Sequence, residues 1–464
     1  MFQVKTRDSD TTLWDPNKIE SILESGIDNY DAGIRKLDVY LDLDGRKELL
    51  CKLIKITNQM TNLDTLNINF LNNYDGYHIP KDNINVRKFT FNHRISKKFT
   101  KRLIDVKILV LSCPDLTSKK LRYLNCLKNL DMLTIDMSRF ESIKKLELTQ
   151  ITHLDISHTY LSDEHYESLK RFQNLKCIGL NGYHEVVRKL PNLEKIILNY
   201  VYDKNEIETV FSYQVKYLEI YMVANQEPIV IKNSILQSLV IDYFTKCEVW
   251  SIDPITPLIS LKMPNCKYFD KSILETHKLQ QLHLDLYQDS WEKTITLPSS
   301  IKRFYLNFNK PTSHKALNLS NLVHLEYFHY ANFTQLIDIQ TGDNNFNKLT
   351  DYYLSHLGDY KESCHVLEYS KRRNRVLNWG YYNSYLTKLV LVFHGILPAY
   401  VIMWIFDKLP PRIEFLNMTY LYHPWKYDEN RSELYLFDDI LKITCIENAI
   451  KSIRRIMNKR NARD

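Results

Sequence analysis

Between residues 193 and 354 one six-residue pattern returns eight times: LEKIIL at 193–198, VKYLEI at 215–220, LQSLVI at 236–241, LISLKM at 258–263, LQQLHL at 279–284, IKRFYL at 301–306, LEYFHY at 325–330 and LTDYYL at 349–354. Places one, four and six are apolar or aromatic. Successive starts are 22, 21, 22, 21, 22, 24 and 24 residues apart. The alternation from place three onward is that of a strand with one buried face. A fixed period of this length marks a coil in which every turn adds one short strand. A single turn cannot bury its apolar side alone, and stacked turns bury one another's. The spacing therefore predicts an α/β solenoid, with parallel strands on a concave face and short returns on a convex one.

The pattern extends outward in both directions, less regularly. Upstream it starts at Ile34, Leu63, Val86, Val106, Leu130, Ile151 and Leu175, with steps of 18 to 29 residues. An extra match, IKKLEL at Ile143, falls inside the 21-residue interval from 130 to 151, so one segment in this region is out of register. Downstream starts are Leu386 and Ile413, after steps of 37 and 27. About seventeen turns result, an arc of roughly 80 Å at the usual strand spacing. The expected division is an N-terminal cap over 1–33, the solenoid over 34–418 with an insertion at 356–385, and a C-terminal capping helix with a basic tail over 419–464. Helical returns are expected from Pro16 to Ser25, Asp163 to Phe172, Lys204 to Phe211 and Asp270 to His277. Repeats of 21 or 22 residues leave room for little more than single turns or 3₁₀ segments.

Motif and period resemble those of leucine-rich-repeat proteins from about residue 34 to 418. The resemblance implies a horseshoe that binds protein or peptide partners and carries out no chemistry itself. That family usually places Asn or Cys eight residues after the first Leu. Cys266 and Asn309 hold the place here, but Thr159, Tyr183, Val223, Phe244, Tyr287 and Phe333 hold it elsewhere, so the array is irregular and divergent. Some similar proteins carry an F-box ahead of their repeats and act as substrate-recognition adaptors of ubiquitin ligases. That role is the alternative reading, and residues 1–33 are too short for such a module.

Composition narrows the function. The chain is 44% hydrophobic and 25% charged, a globular balance. Its eight cysteines include no C-x-x-C pair, which argues against a zinc or redox motif. The N-terminus lacks the apolar stretch of a signal peptide, so a cytoplasmic or nuclear protein with reduced thiols is expected. Of the net charge of +7, the last fourteen residues carry +5, which leaves the body near neutral and argues against a nucleic-acid footprint spread over it. No P-loop, G-x-G-x-x-G or G-x-S-x-G is present, and no catalytic residue, cofactor or metal site is expected. His153, His158 and His165 lie near Asp155, Asp163 and Glu164 without ligand spacing. Leu389 to Phe406 is free of Asp, Glu, Lys and Arg, but Gly395 and Pro398 interrupt it. It reads as a strand followed by a short helix rather than a transmembrane segment.

Places three, five and seven of each motif face the concave side. They give Tyr217, Glu219 and Tyr221; Gln281, His283 and Asp285; Arg303, Tyr305 and Asn307; Tyr327, His329 and Ala331; and Asp351, Tyr353 and Ser355. Place five forms a column of His283, Tyr305, His329 and Tyr353. Tyr and Arg combine apolar area with hydrogen-bonding tips, as binding hot spots do. Tyr217, Tyr221, His283, Arg303, Tyr305, Tyr327, His329 and Tyr353 are therefore the candidate partner-binding residues. The run Lys371, Arg372, Arg373 and Arg375 reads as a basic loop, either solvated or a nuclear-localisation or acidic-partner element. Ile440, Ile443, Ile446, Ile450, Ile453 and Met457 mark one helical face, a cap for the last repeat. Basic loop and tail together carry a third reading, a binder of nucleic acid or anionic membrane.

Overall fold

The computed structural model describes residues 11–14, 34–41, 48–70, 77–113, 116–136, 143–159, 161, 163–202, 204–223, 229–244, 250–266, 274, 278–286, 297–308, 316–332, 338–340, 351–356, 388–394 and 415–421. They fall into two compact units, Met1–Val201 with Tyr217–Tyr221, and Tyr202–Lys216 with Met222–Asp464.

The first unit is a ladder of β1 (Thr11–Trp14), β2 (Lys36–Leu41), β3 (Thr65–Phe70), β4 (Lys88–Phe91), β5 (Ile108–Ser112), β6 (Met132–Asp136), β7 (His153–Asp155), β8 (Cys177–Leu180) and β9 (Lys195–Val201). Each strand pairs in parallel with the next. The strand Tyr217–Val223, β10, pairs with β9. Among the described residues the sheet thus begins at Thr11, ahead of the first sequence match at Ile34. Alternate residues point to opposite faces, and the inward set is dry: Leu66, Ile68, Phe89, Leu109 and Leu154 are fully buried.

Four-residue helices and 3₁₀ segments make the returns. The nine-residue helix α1 (Leu49–Thr57) fits only because its interval is the longest of the upstream steps. Then come α2 (Lys97–Thr100), α3 (Ser118–Leu121) running into the 3₁₀ turn Arg122–Cys126, α4 (Asp163–Tyr166) running into Glu167–Arg171, and the 3₁₀ turn Glu185–Lys189. Ser96 caps α2, its Oγ accepting the Phe99 N–H at 3.2 Å. The extra match at Ile143 is the segment out of register. Leu133 of β6 pairs directly with Leu154 of β7, and no strand intervenes. Ile143, Leu146 and Leu148 are fully buried, but on the return side. Only eight residues separate Ile143 from Ile151, too few for a strand and its return.

In the second unit the helix α5 spans Lys204–Phe211, as expected. The main ladder is β12 (Ser238–Phe244), β14 (Ser260–Cys266), β15 (Gln281–Leu286), β16 (Arg303–Phe308), β18 (Tyr327–Asn332), β20 (Asp351–His356), β21 (Lys388–His394) and β22 (Phe415–Leu421), parallel throughout. Four returns differ from the expected short helices. β11 (Ile229–Ile231) pairs with β13 (Trp250–Ile252), and β17 (Ala316–Asn318) with β19 (Asp338–Gln340), forming two small parallel sheets. The residues explain the first pair: Ile229, Val230, Ile231 and Ile252 are β-branched and resist the helix. β21 covers the start of the apolar run at Leu389, and among the described residues no helix is long and apolar enough to cross a membrane. The expected helix at 16–25, most of that at 270–277, the loop bearing Lys371, Arg372, Arg373 and Arg375, and the capping helix lie outside the described residues.

Candidate protein-binding face

On the open side of the second unit's sheet the register aligns place five across strands. Lys262 stands opposite His283, His283 opposite Tyr305, Tyr305 opposite His329, and His329 opposite Tyr353. Parallel strands put such neighbours about 4.8 Å apart, a distance at which planar rings stack. The rings of His283 and Tyr305 lie 4.9 Å apart and 18° from parallel. Tyr305 stacks on Tyr327 at 4.6 Å and on His329 at 5.5 Å. Four of the candidate side chains therefore form one continuous aromatic surface centred on Tyr305. His283 Nε2 lies 3.2 Å from Asp285 Oδ1, which fixes the imidazole's rotamer at the edge of the stack. Arg303, at place three of the same strand as Tyr305, is exposed, and among the described residues no ion pair holds it. Lys262, exposed at the head of the column, belongs to a repeat the sequence reading passed over; counting the register through every repeat finds it.

Tyr217 and Tyr221 belong to the first unit. They are 41% and 39% exposed and flank Glu219 on the outer face of β10. Glu219 is tied to Lys195 of β9, Nζ to Oε1 at 2.7 Å. Burial is the largest single influence on the Lys195 ammonium and draws it down, but the hydrogen bond and charge attraction of Glu219, with smaller contributions from Cys177 and Tyr221, together outweigh it and leave the group above its ordinary value. Cys177, one strand earlier, is pushed up to about 11 by burial, so its thiol is neutral and unreactive at physiological pH. The two tyrosines are thus exposed rings rooted on a half-buried ion pair, a feature that the motif places alone do not reveal.

Repeating strand, return and parallel ladder decide the architecture. The fold is that of a leucine-rich-repeat solenoid. Solved structures of the same kind include a TLR13–ssRNA13 complex, 18% identical over 84% of this chain, with a TM-score of 0.34; the match spans 56% of the TLR13 chain. An internalin (inlF) from Listeria monocytogenes is 15% identical over 74% of this chain and 93% of its own, with a TM-score of 0.31. CroV588, a circular leucine-rich-repeat protein, is 12% identical over 89% of this chain and 73% of its own, also with a TM-score of 0.31. No protein-family model and no curated protein sequence matches the chain. Likenesses this distant concern the fold alone.

Among the described residues of the solenoid no group of three or more His, Cys, Asp or Glu side chains could hold a metal ion. The three histidines near Asp155 face separate neighbours. His153 Nδ1 meets Thr152 Oγ1 at 2.7 Å, His158 Nδ1 meets Asn199 Nδ2 at 3.4 Å, and His165 lies on the return helix α4.

Proposed function

We propose that the protein is an interaction scaffold and that the open face of β15, β16, β18 and β20 grips a protein or peptide partner. The stacked rings of His283, Tyr305, Tyr327 and His329 carry this reading. Stacking orders the rings before a partner arrives, so little side-chain freedom is left to lose on binding. Each ring still offers apolar area and a polar tip. Arg303 beside them, exposed and held by no ion pair among the described residues, supplies a donor fork for a carboxylate or a carbonyl. Tyr353 extends the column by register, and Tyr217 and Tyr221 supply a second exposed pair in the first unit.

Site-specific photocrosslinking tests the face in the native cell. A photoreactive phenylalanine at Tyr327 should capture one discrete partner. Tyr305→Ala with His329→Ala should abolish that adduct while leaving the circular dichroism unchanged. An adduct that survives the double substitution rules this face out.

A further inference from the structure

The near-neutral average of the body conceals a strongly basic stretch. Residues 77–128 hold thirteen Lys and Arg against three Asp and Glu, a net +10, larger than the +7 of the whole chain. Part of that charge converges on a cleft of about 820 Å³ on the return side of the first unit, between α1, the segment 77–82 and α2. Lys52, Lys55, Lys81, Lys98, Lys101 and Arg102 line it, against the acids Glu48 and Asp82. Among the described residues no ion pair or side-chain hydrogen bond holds any of the six cations. Glu48 is turned toward His78, Oε1 to Nδ1 at 3.8 Å, rather than toward a lysine. The Nε of Arg102 is shielded from solvent and has no acceptor. Buried donors are almost always satisfied, and six like charges gathered against only two acids repel one another unless a further anion joins them.

The walls specify the kind of anion. Two rings lie in the lining: His78, which is turned toward Glu48, and Tyr77, which is committed to the core. Its hydroxyl donates to the Arg94 carbonyl at 2.7 Å, and its ring packs edge-on against Phe91 and Phe99 at 5.8 and 5.6 Å. It offers no platform on which a nucleic-acid base could stack. The volume lies in the range of small-ligand sites, roughly 300–1,000 Å³. Five ammonium groups and a guanidinium match several phosphates held close together. We propose that this cleft binds a compact polyphosphate, either as a soluble molecule or as the headgroup of a polyphosphorylated lipid. The surrounding positive field would steer such a ligand in, with an on-rate that falls as salt is added.

Calorimetric titration of the full chain with tripolyphosphate at low ionic strength tests the site. One-to-one binding is expected, weakened at least about tenfold by Lys98→Gln with Lys101→Gln. Both side chains are exposed, so the fold should survive. The control is Lys119→Gln with Lys120→Gln on α3, outside the cleft lining, which should leave the affinity within about twofold. Phosphatidylcholine vesicles with and without a few per cent phosphatidylinositol bisphosphate separate the two sources. Vesicle binding that tripolyphosphate displaces assigns the headgroup, and tripolyphosphate binding without vesicle binding assigns the soluble ligand. No tripolyphosphate binding, equal loss in the control variant, or retention of a single-stranded RNA that tripolyphosphate fails to displace each overturns the proposal.

Discussion

Gly179 lies beneath the carboxylate of Asp155, its register partner one strand earlier, and the space a Cβ would need is filled by Asp155 Cγ at 2.7 Å. Asp155 is held there because Oδ1 accepts the Ser157 N–H at 3.0 Å, closing the turn that ends β7. Gly179→Ala must displace the carboxylate and break that bond. The expected cost is about 1–3 kcal/mol, read as a lower urea midpoint. Asp155→Ala in the same chain should return part of the loss, because the space is then free. Strictly additive effects of the two substitutions would contradict this geometry.

Asn233 closes a turn in the second unit from the inside. It is 3% exposed, and its amide donates to the carbonyls of Phe211 and Tyr213 at 3.0 and 2.5 Å. Its Oδ1 accepts the N–H groups of Ile235 and Leu236, both at 2.9 Å. Four backbone groups would lose their partners in Asn233→Ala, and about 3 kcal/mol of stability should go with them. Asn233→Asp keeps the shape but turns a carboxylate oxygen toward two carbonyls, so it should be no milder at neutral pH. A thermal midpoint within a degree or two of wild type for either variant would refute the assignment.

Asn233 also shows where sequence reading reached its limit. The apolar places of the repeat were legible because burial forces them: Leu282, Phe304 and Phe328 must be apolar whatever surrounds them, and all three are 1% exposed or less. Which residues share the open face followed from the same alternation. The polar residues that satisfy the turns were not legible, because any short side chain able to reach a free backbone group will serve. The expected Asn or Cys place holds Thr159, whose Oγ1 donates to the Ile135 carbonyl, while Asn92 and Asn233 do equivalent work at other offsets. The returns were half legible. Helical periodicity marked Lys204–Phe211, whereas the β-branched run Ile229–Ile231 is too short a signal to separate an extended return from a 3₁₀ turn before its pairing with β13 is seen. The stacked rings could be placed in one column but not shown to touch, and the basic cleft was lost in an average over 450 residues.

The neighbourhood of Lys195 makes stability fall at alkaline pH. Burial raises the Cys177 thiol from 9.0 to about 11, and the Glu219 contact raises Lys195 above 10.5 despite the opposing effect of burial. Groups raised on folding contribute stability that is complete below their unfolded values and is lost as pH climbs through the folded ones. For Cys177 that window runs from 9.0 to about 11, and for Lys195 it opens at 10.5. The urea midpoint should hold steady from about pH 7 to 9 and then decline. Cys177→Ala should flatten the first part of the decline. Alkylation followed by peptide mapping gives an independent check: at about pH 8 the native chain should leave Cys177 unmodified. Rapid labelling there under native conditions would mean that the thiol is not buried as described.

Adjacent residues of β16 should respond in opposite ways to the same truncation. Phe304 faces the core, fully buried and stacked on Phe328 at 5.8 Å. Tyr305 faces outward and stacks on His283, Tyr327 and His329. Phe304→Ala removes a core ring and leaves a cavity, which should cost about 3–5 kcal/mol. Tyr305→Ala loses only partly exposed stacking and should cost no more than about 1 kcal/mol. Partner binding should sort the other way: Tyr305→Ala loses the crosslink at Tyr327, while Phe304→Leu, which keeps the core filled, retains it. The contrast depends on register alone, since a slip of one residue would exchange the two faces. Equal destabilisation by the two alanine substitutions would show that the strand is not held as described, and with it the column on which the proposed binding face is built.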